Sequence, residues 1–265
     1  MPEGPLKGFA ESEFTHDGVS RPVFRGGAGP AVIVIHEVPG LHPETIAFGG
    51  RVVDAGFTVY MPSLFGTPGK PFGWGYTLRS ISQACVAREF VTMAFNRTHP
   101  ITGWLRKLAA DAHAECGGPG VGAVGMCFTG GFALGMMVDE TMLAPVLSQP
   151  SLPFPIGNKR KASVGISDAD FERVKERAAQ GACVLGLRFS TDPAVPPERF
   201  ETLRRELGDA FIAVEIDSSR GNPHGIKKRA HSVLTLDFVD EPGHPTRAAL
   251  EQVLAFLQER LLAPA

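Results

Sequence analysis

One cysteine in the sequence has the surroundings of a catalytic nucleophile. Cys127 stands in VGAVGMCFTGGFALGM, residues 121–136, where a run of small and β-branched residues gives way to glycines. The run predicts a buried parallel strand, and the apolar residues after Gly131 predict a helix. A sharp strand-to-helix turn needs small neighbours and exposes its central residue. We therefore expect Cys127 on an exposed elbow, where the amides of the helix start favour a thiolate and an oxyanion.

The segment departs from the usual elbow pattern, G-x-S-x-G. Cysteine replaces serine, and Thr129 stands in place of the second glycine, with Gly130 directly after it. The plain alternative is a buried structural cysteine, since free cysteines often pack as small apolar side chains. The other cysteines, at positions 85, 116 and 183, show no paired spacing typical of a metal site or a disulfide framework.

A cysteine nucleophile needs a base, and the base needs a group that orients it. With a nucleophile on an elbow, the acid and the histidine follow in that order, each after a later strand. Asp192 directly follows the predicted strand 183–190, although Asp-Pro is also an ordinary turn signal. Three histidines lie between the next strand and the last helix, and position alone leaves the choice open: His224, His231 and His244.

Glu37 closes the continuous apolar run AVIVIHE, residues 31–37. A carboxylate at the end of such a buried strand is costly unless it is paired or serves a function. A salt-bridged strand end is the plain interpretation. Alternation along the strand points His36 to the opposite face, so we expect His36 to be a structural hydrogen-bonding residue.

Alternating strands and helices predict the scaffold that positions these residues. Apolar runs predict strands at 31–37, 57–66, 121–126, 144–150, 183–190 and 210–217. Helical spacing predicts helices at 43–56, 80–95, 98–116, 130–139, 168–181, 196–207 and 245–262. This alternation indicates an α/β fold with a mostly parallel sheet flanked by helices on both faces. We expect one domain over 1–265, with 1–28 as an N-terminal extension or edge strands.

Composition limits the classes of partner. The 26 basic and 28 acidic side chains leave a net charge of −2, which favours neither a nucleic acid nor an anionic membrane. The N-terminal segment is polar, without an apolar signal region, and no apolar run has transmembrane length. Together with the scattered cysteines, this predicts a cytoplasmic protein without a metal or other cofactor.

Three segments together resemble the dienelactone hydrolase family, which comprises α/β-hydrolases with a cysteine nucleophile. The segments are GMCFTGG around Cys127, VIVIHEVPGL followed by a helix, and AGFTVYMPSLFG. They occur in the family's order, and the likeness runs from residue 30 to the last helix. Ser63 stands where the third segment usually has aspartate. Residues 67–120 and 150–180 match least, and these regions would shape the substrate pocket.

The resemblance implies an α/β-hydrolase fold and hydrolysis of a carboxylic ester or lactone through a thioester, similar to carboxymethylenebutenolidase. It implies Cys127 as nucleophile, Asp192 in STDPAVP as the acid and His231 in RAHSVLTLDF as the base, with His244 as the alternative. The matching glutamate of the family contacts the thiol and helps to deprotonate it. This implies the same role for Glu37.

The resemblance also implies how substrate is held. The backbone amides of Phe128 and Val38 would form the oxyanion hole. The family's reference substrates are dienelactones that carry a carboxylate, which an arginine can bind in a planar fork. Arg88 is the first candidate, and Arg79 and Arg51 are less secure. The loop aromatics Phe72, Trp74 and Tyr76 could line an apolar pocket.

Two other functions stay open at this stage. One is a broader esterase or thioesterase without dienelactone activity. The other is a non-catalytic relative that binds a ligand without turning it over. Either would take a small molecule as its partner, and the sequence leaves the oligomeric state undetermined.

Overall fold

Eight strands form one sheet in the computed structural model, which describes residues 4–77, 80 and 99–262. They are β1 (Ala10–His16), β2 (Val19–Gly27), β3 (Ala31–Ile35), β4 (Thr58–Pro62), β5 (Val121–Met126), β6 (Met142–Ser148), β7 (Val184–Phe189) and β8 (Phe211–Ile216). Their order across the sheet is β1-β2-β4-β3-β5-β6-β7-β8. β1 pairs antiparallel with β2, and β2 antiparallel with β4. The other pairings are parallel, so the predicted mostly parallel sheet is confirmed.

Helices cover both faces of the sheet, as predicted. Those within the described ranges are α1 (Pro43–Asp54), α2 (Pro100–Cys116), α3 (Gly130–Met136), α4 (Asn158–Ala162), α5 (Asp168–Ala179), α6 (Pro197–Leu207) and α7 (Pro245–Leu261). Side-chain alternation along β3 divides the core. Ile33 and Ile35 pack with α2, α3 and α6, whereas Val32 and Val34 pack with α1 and α7. The predicted helix at 80–95 lies outside the described residues, apart from Ser80.

No helix in the described parts of the chain combines the length and the apolar character needed to cross a membrane. Residues 10–27, within the segment expected to be an extension or edge strands, form β1 and β2 at one edge of the sheet.

Several strands are shorter than their apolar runs predicted. β3 ends at Ile35, so His36 and Glu37 lie beyond the ladder, and β4 ends at Pro62 although residues 63–65 stay buried. Cys183, expected inside a strand, directly precedes β7. Apolar character reports burial, and burial continues past the last ladder hydrogen bond.

His36 has the structural role expected of it. Its Nδ1 lies 2.9 Å from the carbonyl oxygen of Glu37, and its Nε2 accepts a 2.9 Å hydrogen bond from the backbone N–H of Leu64. Complete burial lowers the pKa of His36 to about 4, so the imidazole is neutral. The ring therefore joins the end of β3 to the segment after β4.

Arg199 holds together the long segment that follows β6. Its side chain is fully buried on α6, and burial lowers its pKa to about 10. The guanidinium donates to four backbone carbonyls of that segment, those of Pro150, Pro153, Arg160 and Ser163. The planar fork thereby ties these carbonyls together, including that of Arg160 in α4, which also accepts from the backbone N–H of Ser163.

We expect Arg199→Met to lower the free energy of unfolding by about 3 kcal/mol or more, because four carbonyls lose the buried guanidinium that donates to them. Urea unfolding followed by circular dichroism measures the change. The matched control is Arg205→Met on the same helix. The side chain of Arg205 is exposed and pairs with the neighbouring Glu206. The control should stay within about 0.5 kcal/mol of the wild type. Equal losses in the two variants would contradict a special role for Arg199.

Candidate active site

The turn after β5 has the form of an elbow. Cys127 is its first residue and has a φ of 54°, in the left-handed region that side chains rarely adopt. Two glycines make this turn sterically feasible. A Cβ at Gly125 would lie 2.4 Å from the carbonyl oxygen of Thr129, and a Cβ at Gly130 would lie 2.6 Å from Cα of Pro150. The glycines are therefore needed for the close approach of backbone around Cys127.

Thr129 has a task that a glycine could not perform. Its hydroxyl accepts a 3.0 Å hydrogen bond from the N–H of Met126 and lies 2.9 Å from the carbonyl oxygen of Ile35, to which it can donate. The side chain is fully buried. It ties the elbow to the end of β3, two residues before Glu37, and so accounts for the departure from the usual elbow pattern.

The predicted acid and base lie side by side near Cys127. Asp192 follows β7, and its Oδ2 lies 2.6 Å from Nδ1 of His231. His231 lies in the segment after β8, where its backbone N–H donates to Asp237 at 2.8 Å. A ring nitrogen of His231, a carboxylate oxygen of Glu37 and Sγ of Cys127 all lie within 4.8 Å of one another. The predicted nucleophile, base and acid thus lie together at the carboxyl edge of the sheet.

The surroundings of His231 favour its charged form. Burial by itself disfavours the imidazolium. The charge of Cys127 and the hydrogen bond with Asp192 outweigh burial and raise the pKa of His231 well above its ordinary value. This arrangement fits a thiolate–imidazolium pair, the reactive form of a cysteine nucleophile.

The two other candidate histidines lie elsewhere. His244 precedes α7, and its ring accepts a hydrogen bond from the N–H of Thr246 at 3.3 Å. Its ring contacts that of the exposed His224, with centroids 5.5 Å apart. Both line a different, smaller cavity, so of these three histidines only His231 faces Cys127.

Glu37 is buried with its carboxylate surrounded by donors. Ser232 donates to Oε2 at 2.7 Å, Gln149 donates to the same oxygen at 3.3 Å, and Thr235 donates to Oε1. The Nε2 of His42 lies 3.4 Å from Oε1. Burial alone would raise the pKa of Glu37, but His42 and the two hydroxyl donors lower it below its usual value. Glu37 is therefore a carboxylate.

Glu37, Cys127 and His231 are also the one cluster within the described ranges whose side chains are close enough together to suit a metal ion. Glu37 and His231 already make the hydrogen bonds given above. Those bonds fit acid–base chemistry at the thiol, and we assign no metal to the cluster.

A cavity of about 510 Å³ opens above Cys127. Phe128 and Val38 line it beside the thiol, in the neighbourhood where an oxyanion hole would lie. The hydroxyl oxygen of Ser151, a residue that was not among the predicted site residues, lies 3.3 Å from Sγ of Cys127. Ser151 follows β6, at the same edge of the sheet as the elbow, so its position after a predicted strand was the available signal.

The mouth of the cavity is mostly apolar. Four apolar side chains that line it are exposed, namely Phe72, Trp74, Phe154 and Leu236, together with the side chain of Lys227. Tyr76, expected to belong with these aromatics, instead bonds through its hydroxyl to the backbone of Thr67.

Among the described residues, none of the predicted carboxylate-binding arginines lines this cavity. Arg88 and Arg79 lie outside the described residues. Arg51 on α1 lies over the ring of Phe238, 4.5 Å from its centroid, and 3.4 Å from Asp240, away from Cys127. In the described part of the chain, Lys227 lines the cavity together with the histidine His231.

Comparison with known proteins bears on the family and on the fold. A model of the dienelactone hydrolase family matches residues 21–261, and no curated protein sequence matches the chain. A Klebsiella pneumoniae protein assigned as a dienelactone hydrolase shares 19% identity at a TM-score of 0.63, over 94% of this chain and 98% of that one.

Two further solved structures show the same fold. A dienelactone hydrolase-like promiscuous phosphotriesterase from metagenomic libraries shares 17% identity at a TM-score of 0.59, covering 96% of this chain and 98% of its own. A dienelactone hydrolase from Anabaena variabilis shares 15% identity at 0.58, with the same coverage of 96% and 98%.

Thr129→Val should cost about 1–3 kcal/mol of unfolding free energy, because the N–H of Met126 and the carbonyl of Ile35 lose their shared partner in the core. Thr129→Ser keeps the hydroxyl and is the matched control, so it should cost less. Urea unfolding of the two variants measures the difference. A serine variant as unstable as the valine variant would assign the effect to methyl packing and would contradict the hydrogen-bond argument.

Proposed function

The chain belongs to the dienelactone hydrolase family, and from this premise we propose that it hydrolyses carboxylic esters or lactones with Cys127 as the nucleophile. Family membership makes the chain a hydrolase of small molecules. The observation that carries the finer assignment is the convergence of Cys127, His231 and Asp192 at one end of the sheet, with the thiol facing a cavity. The triad, its order along the chain and its elbow agree with each other.

The proposed reaction has two steps. The Cys127 thiolate attacks the carbonyl carbon, and the His231 imidazolium gives its proton to the leaving oxygen, which leaves an acyl thioester. Water then attacks the thioester while His231 accepts its proton, which releases the acid and the thiol. Asp192 holds Nδ1 of His231 and so keeps Nε2 free for these transfers. The amides of Phe128 and Val38 hold the oxyanion in both steps.

Cysteine in place of serine favours activated substrates. A thiolate is a strong nucleophile and also a fairly good leaving group, so attack is productive when the substrate oxygen leaves more readily than sulfur. An enol ester or lactone meets this condition, because its leaving group is an enolate. Arg88 is our candidate for a substrate carboxylate, as a proposal from the family resemblance alone.

The apolar mouth supports a second candidate, a broader esterase. Trp74 is 79% exposed and Phe154 50% exposed beside a cavity that contains the thiol. Exposed aromatics at such a place gain contact area when an apolar acyl or aryl group enters. Besides the histidine His231, Lys227 is the basic residue among the described residues lining the cavity, which also suits a substrate with a large uncharged part.

Substitution of the triad tests the reaction. Cys127→Ala and His231→Ala should each reduce hydrolysis of p-nitrophenyl acetate and of a dienelactone by about 10³-fold or more, since the members of a triad act as a unit. His244→Ala is the matched control and should stay near wild type. Activity retained without Cys127 would contradict the nucleophile. A wild type inactive on both substrates would favour a non-catalytic ligand-binding protein.

Truncation of the mouth tests the acyl preference. Trp74→Ala and Phe154→Ala should lower kcat/KM for p-nitrophenyl octanoate about threefold to tenfold and leave the acetate ester nearly unchanged, because only the longer chain reaches these rings. Ile212→Ala, an exposed apolar side chain on β8 away from the cavity, is the control. Equal effects on both esters would contradict an acyl-binding role for the mouth.

A further inference from the structure

Three ionisable side chains run from the thiol to the protein surface. Glu37, with a carboxylate oxygen within 4.8 Å of Sγ of Cys127, is the innermost. Its Oε1 lies 3.4 Å from Nε2 of His42, and Nδ1 of His42 lies 2.8 Å from Oε2 of Glu44. The side chains of Glu37 and His42 are buried, whereas that of Glu44 is 47% exposed. The sequence analysis did not select His42 or Glu44.

Both ring nitrogens of His42 face oxygen atoms. Nε2 lies 3.4 Å from Oε1 of Glu37 and 3.1 Å from the hydroxyl oxygen of Thr45, while Nδ1 lies 2.8 Å from Oε2 of Glu44. Burial opposes protonation of this ring, but the two carboxylates outweigh burial and raise the pKa of His42 above its ordinary value. The two carboxylates therefore favour the imidazolium form of His42, whose ring bridges them.

The other partners of Glu37 are neutral. Ser232, Thr235 and Gln149 donate hydrogen bonds to it but bring no charge. These hydrogen bonds offset part of the loss of solvent around the buried carboxylate, but none of them supplies an opposite charge. His42 is thus the cation that contacts Glu37 in the described part of the chain. It also offsets the repulsion between Glu37 and a thiolate on Cys127.

We propose that His42 is a positioning residue of this hydrolase: anchored at the surface by Glu44, its imidazolium holds the Glu37 carboxylate charged and aligned beside the Cys127 thiol. The inference rests on the proposed function, since the thiol must be the nucleophile for its surroundings to affect turnover. Glu37 can accept the proton from Sγ only as a carboxylate, and His231, already protonated, keeps its own proton for the leaving oxygen. The other titratable groups near Glu37 are Cys127, His231 and the buried, neutral His36.

The test compares pH profiles of kcat/KM and of Cys127 alkylation by iodoacetamide. His42→Gln keeps hydrogen bonding but removes the charge, so a proton binds Glu37 more readily and the thiolate is less favoured. Both effects should shift the acid limb of the pH profile, where the rate falls with decreasing pH, to higher pH by about one unit. At pH values below this limb, the rate should then be about tenfold lower than that of the wild type. The alkaline plateau should change by less than about twofold. Cys127→Ser gives the alkylation background of the other cysteines.

A second variant covers the case in which His42→Gln does not fold. Glu44→Gln changes a half-exposed side chain and creates no cavity. It should shift the acid limb in the same direction by a smaller amount, because Glu37 still favours the proton on His42. The matched control is Glu251→Gln, a surface glutamate on α7 that pairs with Arg247, and it should leave the profile unchanged.

A spectroscopic readout is independent of turnover. The imidazole ¹⁵N resonances of His42, assigned by comparison with either variant, should show both nitrogens protonated at neutral pH. A neutral ring, or profiles of His42→Gln and Glu44→Gln that coincide with the wild type, would overturn the role of His42 while the triad stands. Full activity of Cys127→Ala would instead overturn the proposed function, so the two failures are distinguishable.

Discussion

Parallel pairing between β3 and β5 is the constraint on which the site depends. Ile35 pairs with Gly125, so the residues two positions further along each strand, Glu37 and Cys127, leave the sheet together at the same edge. The hydroxyl of Thr129 then bridges the two strand ends. Since side chains alternate along a strand, a register shift of one residue would separate the carboxylate from the thiol.

Charge balance at this edge follows from burial. The site gathers several acidic groups, namely the carboxyl groups of Glu37 and Asp192 and the thiol of Cys127. Two histidines are set among them, His231 between Asp192 and Cys127 and His42 between Glu37 and Glu44. A histidine suits this purpose because its ring carries two donors in fixed opposite directions and its charge depends on its neighbours.

The proposed reactive groups and the cavity mouth belong to different parts of the chain. Glu37, Cys127 and Asp192 stand just beyond strand ends, where the ladders limit their movement, and His231 reaches them from the segment between β8 and α7. The cavity mouth is built from loops, including the segment after β6 that Arg199 holds by its backbone carbonyls. Loops can change in length and sequence without disturbing the sheet, which fits the weak family likeness of these regions.

The sequence by itself determined the alternation of strands and helices, the elbow at Cys127 and the order of its partners, because periodicity, glycine and chain order are local properties. It predicted strand ends less well, since buried residues such as His36 and Leu64 extend past the ladders.

Tertiary structure decided which histidine faces the thiol, because His231 and His244 both satisfy the order and differ only in how the segment between β8 and α7 folds. It also decided the partners of Glu37. Ser232 lies 195 residues away along the chain and His42 only five, yet both reach the same carboxylate through contacts that no local pattern encodes.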